Sequence, residues 1–83
     1  MDQLISVDWT GPVEPLLKRI ARASHYRVRP LGVPPAIPVI VSVSAQDTLL
    51  AEVVRDIQLQ IGKKARIKTY PGSRVIELRY LQP

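Results

Sequence analysis

From Pro38 to Gly62 the spacing of apolar positions changes from two to between three and four. Val39, Val41 and Val43 alternate with Ile40, Ser42 and Ser44, the pattern of a strand with one strongly apolar face. Leu49, Leu50, Val53, Val54, Ile57 and Ile61 then recur at helical spacing, with Asp47 or Thr48 suited to cap the first turn and Gly62 to close the last. One strand and one helix cannot bury both apolar faces alone. The pattern therefore predicts a second unit of the same kind beside this one.

The first half of the chain supplies it. Leu4 to Thr10 reads as a strand with Ile5, Val7 and Trp9 on one face and Ser6, Asp8 and Thr10 on the other, stopped by Gly11 and Pro12. Trp9 is expected in the core, with its indole N–H in need of a partner. Pro12-Val13-Glu14-Pro15 suits the opening of a helix, where a missing proline N–H costs little and Glu14 meets the positive end of the dipole. Val13, Leu16, Leu17, Ile20 and Ala21 form its apolar stripe, and it ends near Ser24-His25 with His25 as a boundary residue. Tyr26 to Leu31 follows as a short strand, with Tyr26 and Val28 inward and Arg27 and Arg29 outward.

Pro30, Pro34, Pro35 and Pro38 exclude a central strand and require an extended loop or a sheet edge. The apolar residues within it, Val33, Ala36 and Ile37, have two readings. Val33 and Ile37 folding down as a lid over the core is the simpler expectation. The other reading, carried into the functional interpretation, is a stiff docking surface made by Val33, Pro34, Pro35 and Ile37.

Ile67 to Tyr70 and Val75 to Leu81 read as a closing hairpin, with Tyr70-Pro71-Gly72-Ser73 fitting a type II turn that puts Gly72 at positive φ. The predicted order is β-α-β-β-α-β-β. The expected fold class is α+β, a small single domain spanning 1–83 with its ordered core at about 4–81, two helices packed on mixed sheet and right-handed crossovers in the two strand–helix halves.

Composition removes whole classes of chemistry. The 83 residues contain no cysteine and one histidine, so a thiolate site, a disulfide framework and a nucleophile–histidine pair all lack parts. Glu52 and Asp56 lie one helical turn apart but opposite the apolar stripe, where a solvated face is expected. No phosphate-binding glycine loop is present, and the chain is read as a non-enzyme without cofactor, metal or small-molecule substrate. No stretch has the ~20 apolar residues of a membrane span, and Met1 onward lacks the regions of a signal peptide. Any targeting segment is expected upstream of Met1.

Twelve Lys and Arg against seven Asp and Glu give a net charge of +5, spread along the chain. Lys63, Lys64, Arg66 and Lys68 form its densest group. Gly62-Lys63-Lys64-Ala65 echoes the Gly-x-x-Gly loop of a KH domain, with Ala65 in place of the second glycine and strand alternation where a helix should open. A small KH-like nucleic-acid-binding domain is accordingly the alternative function.

Pro12 to Ala21, Val39 to Ser44, Thr48 to Val54 and Arg74 to Leu78 together resemble the short N-terminal domain of secretins and TonB-dependent receptors. The opening Ile5-Ser6-Val7-Asp8-Trp9-Thr10-Gly11-Pro12 more narrowly resembles the DotD family of outer-membrane lipoproteins from type IVB secretion systems, or a counterpart in a conjugation system. That resemblance implies a periplasmic, non-catalytic assembly module of the outer-membrane core complex. It implies DotC-like and DotH-like partners and an upstream lipid anchor, and it leaves nucleic acid outside the expected partners. His25 departs from the pattern where glycine often follows the first helix, and no lipobox cysteine occurs in these residues.

Overall fold

The alternating and helical stretches become strands and helices in the predicted order. The computed structural model describes residues 3–81; the terminal residues of the expected 1–83 unit lie outside that range. Its elements are β1 (Leu4–Pro12), α1 (Val13–Ala23), β2 (Arg27–Leu31), β3 (Ile40–Leu49), α2 (Leu50–Ile61), a 3-10 turn (Gly62–Lys64), β4 (Ala65–Tyr70) and β5 (Val75–Tyr80). The fold is a small α+β arrangement with two helices and mixed sheet.

The strands divide into two sheets. β1 pairs antiparallel with β3 from Leu4 opposite Leu49 to Pro12 opposite Ile40. β5 lies between β2, which it meets in parallel, and β4, which it meets antiparallel. α1 thus leads from one sheet to the other, and so does α2. The expected crossovers within a sheet are not formed, because the nine-residue β1 pairs along its whole length with the ten-residue β3.

α1 packs against β1, β2 and β5, and α2 against β3 and β4. Leu16, Leu17 and Ile20 of α1 and Leu50, Val53, Ile57 and Ile61 of α2 join Ile5, Val7, Val41, Val43, Ile76 and Leu78 in one buried cluster. Trp9 packs against it half-buried, its indole N–H donating to the Pro12 carbonyl at 3.2 Å.

Four local expectations are corrected. Asp47 and Thr48 do not cap α2, because β3 stays paired with β1 as far as Leu49. The first helical N–H, that of Leu50, donates instead to the Gln3 carbonyl at 2.9 Å. Asp47 occupies a bulge at φ 47°, where its N–H donates to Ser6 Oγ at 3.0 Å. Leu49, expected in the helical stripe, ends β3 and is 37% exposed.

The hairpin closes without a positive φ at Gly72. Tyr70 still opposes Val75, leaving four loop residues; the Arg74 N–H donates to the Pro71 carbonyl at 3.3 Å and Arg74 itself takes φ 55°. A four-residue loop needs its left-handed residue last, where it turns the chain back into register. Finally β1 runs through Gly11 to Pro12 and does not stop before them.

Candidate functional site

The proline-rich segment is clamped at both ends. Gly32 takes φ 83°, and a Cβ there would stand 2.7 Å from the Tyr80 carbonyl oxygen, so only glycine lets the chain leave β2 flush against β5. At the other end the Val13 N–H donates to the Val39 carbonyl at 2.9 Å, tying the segment to the start of α1. Between these points Val33 is 68% and Ile37 82% exposed. The lid expectation is overturned: fixed φ at three prolines and two anchored ends hold the segment off the core.

Pro34, Pro35 and Pro38 face Pro12, Pro15 and Tyr80 across a groove of about 210 Å³. The Tyr80 hydroxyl donates to Glu14 Oε1 at 2.7 Å, and Glu14 also pairs with Lys18 at 3.3 Å. Burial, reinforced by that carboxylate, pushes the Tyr80 phenol well above its ordinary value. Val33, Pro34, Pro35 and Ile37 thus form one exposed, rigid, apolar ridge beside a proline-walled groove. Nothing in it activates a nucleophile or gathers acids and bases.

The basic residues are gathered in a way the sequence does not display. Lys63 and Lys64 sit in the 3-10 turn, while Arg66 and Lys68 lie on the solvent face of β4. Register places Arg66 opposite Arg79 and Lys68 opposite Glu77 on β5, with Arg29 of β2 opposite Glu77 from the other side. Arg27, Arg29, Arg66, Lys68 and Arg79 therefore share the outer face of the three-stranded sheet. Arg27, Arg29 and Arg79 were hidden as contributors because β2 and β5 are far apart in sequence. The available signal was the outward phase of each strand taken separately.

Glu77 stands at the centre of this face and is nearly buried, with Tyr70 donating to it at 3.0 Å and Arg79 pairing at 3.1 Å. The Tyr70 hydroxyl, then the Arg79 guanidinium, hold its carboxyl below the usual range against the cost of desolvation. Donating that hydrogen bond to Glu77 also raises the Tyr70 phenol. Glu77 is thus engaged internally, and the face presents mostly positive charge. The Gly62–Lys64 turn runs directly into β4, so no helix follows it as a KH loop requires.

Glu52 and Asp56 are exposed on α2, as expected of a solvated face. Among the described residues no group of His, Asp and Glu could hold a metal ion, and no helix is long and apolar enough to cross a membrane.

The described residues thus present an apolar ridge and a cationic sheet face at the surface. A family model described as DotD protein matches residues 1–80. The chain belongs to the DotD family. No curated protein matches the chain. As a DotD-family member it is a component of a type IV secretion system and of a complex with other subunits. The DotD family is a structural one and not a known enzyme family.

Proposed function

We propose that this DotD-family chain is a non-catalytic structural component of the outer-membrane core complex of a type IVB secretion system or a related conjugation system. It acts in the periplasm as one assembly domain spanning residues 1–83, held at the outer membrane by a lipid anchor upstream of Met1, with DotC-like and DotH-like subunits as its partners. The observation that carries this reading is the family match over residues 1–80. The ridge of Val33, Pro34, Pro35 and Ile37 supports it, because large apolar side chains held in water by a pre-stiffened backbone lose little entropy on docking.

The test is a paired measurement on Val33→Ser with Ile37→Ser. The double variant should recover fewer core-complex subunits on affinity purification from the native host while its melting temperature stays unchanged. A fall of more than about 4 °C would mean that the two side chains support the fold, since about 1 kcal/mol moves a domain of this size by that much. Purified complex lacking the chain altogether would overturn the assembly reading itself.

A further inference from the structure

The strand edges in this fold are covered unequally, and two of them are met by glutamines of α2. Gln60 of α2 closes β3: the Ser42 N–H donates to its Oε1 at 2.8 Å and its Nε2 donates to the Ser42 carbonyl at 2.7 Å. Gln58 closes β4 in the same way, accepting from the Ile67 N–H at 2.7 Å and donating to the Ala65 carbonyl at 3.0 Å. Both side-chain amides imitate a paired strand. β1 runs beside α1, with Arg19, Ile20 and Ala23 bordering the same small crevice as Ile5 and Val7.

β2 is treated differently. The Arg27 N–H donates to the Arg74 carbonyl at 2.9 Å, so in this parallel ladder Arg27, Arg29 and Leu31 turn their backbone groups toward β5. Val28 and Pro30 turn theirs away from it. Among the described residues no side chain bonds to that margin, and an open groove of about 310 Å³ bordered by Arg27, Val28, Arg29 and Pro30 together with Val75 of β5 lies against the strand. The free margin offers one donor, the Val28 N–H, and two acceptors, the Val28 and Pro30 carbonyls.

We propose that this margin of β2 accepts one extended segment of a partner protein whose side chains alternate between acidic and apolar. The proposal rests on the assembly reading and names the edge and the chemistry of its occupant. Three backbone bonds are few, so side chains must supply specificity. On the outer face the added strand lies next to Arg27 and Arg29, both exposed, while the nearby carboxylate of Glu77 is already taken by Tyr70 and Arg79. Acidic residues at alternate positions meet those two guanidinium groups. The intervening residues face the side of Val28, which is half-buried against the core, and there apolar side chains fit.

The experiment titrates the full chain, isotope-labelled, with a short peptide alternating Glu and Val. Amide shifts should change along β2 and β5, and Arg27→Glu with Arg29→Glu should weaken binding on the order of tenfold and reverse preference toward a Lys–Val peptide. Methylating the peptide nitrogens that face β2 should abolish binding with every charge retained. Equal binding of the methylated peptide would overturn strand addition, as would shifts confined to β4. No binding of the unmodified peptide, or displacement of it by a single-stranded oligonucleotide in preference to all acidic peptides, would also overturn the proposal. Normal assembly of the charge-reversed chain alongside failed assembly of the Val33 and Ile37 variant would sink the edge assignment and leave the assembly reading standing.

Discussion

At the C-terminus of α1 a histidine does the work usually given to glycine. His25 takes φ 62°, and around it the Tyr26 N–H reaches the Ala21 carbonyl at 2.7 Å and the His25 N–H the Arg22 carbonyl at 3.4 Å. This is the paired hydrogen bonding of a Schellman cap, completed by Ser24 Oγ donating to the Ile20 carbonyl at 2.7 Å. The same concern for local pairing governs the two part-buried acid–phenol contacts, and their pH dependence follows. Glu77 titrates lower when folded than its ordinary 4.5, so its contribution is present above that pH and is lost as pH falls through the folded value. Tyr80 is raised from 10.0, so its contribution is present below pH 10 and is lost as pH climbs beyond it. Denaturant midpoints followed across both limits should show Glu77→Gln flattening the acid limb and Tyr80→Phe the alkaline limb. Unchanged limbs in both variants would contradict these assignments.

The decisive element is α2. Successive helical residues are rotated by about 100°, so Gln58 and Gln60 project on nearly opposite sides, which is why one helix can reach the margins of two different sheets. Replacing either by Ala should cost about 0.5–1.5 kcal/mol, with Gln58 at the upper end because its contacts are partly buried. The exposed margin should then promote self-association, visible by sedimentation; variants that stay monomeric at high concentration would argue against a protective role. Much of this element was readable beforehand, since Val53, Ile57 and Ile61 keep strict helical spacing and all three are buried. Its start was not, because Asp47 and Thr48 have capping side chains and only the distant ladder to β1 overrides them. The role of Gln58 and Gln60 was not readable either: in sequence they are ordinary polar residues. The loop residues Val33, Pro34, Pro35 and Ile37 were picked out by composition, but whether they pack or project depends on Gly32 and Val13, which anchor the ends.

For the whole molecule, the consequence of a shared interior is that damage in one place is felt everywhere. Ile57 is fully buried in the cluster that both helices and both sheets contribute to. Ile57→Asp places an unpartnered charge there at a cost of several kcal/mol, against a total stability of about 5–15 kcal/mol. The variant should be unfolded, and a well-dispersed amide spectrum from it would contradict this packing. Charge behaves in the opposite way. Five of the twelve basic residues, which look dispersed along the sequence, are gathered by β2–β5 and β4–β5 pairing onto one sheet face, which no local pattern announces.

The glutamine seals also set a valence. A protein with two open strand margins can pass a ladder from copy to copy and grow into a fibre. Here Gln60 and Gln58 of α2 take up backbone groups at the margins of β3 and β4, and the open margin on β2 is cut short by Pro30, so growth from copy to copy through these three margins is disfavoured.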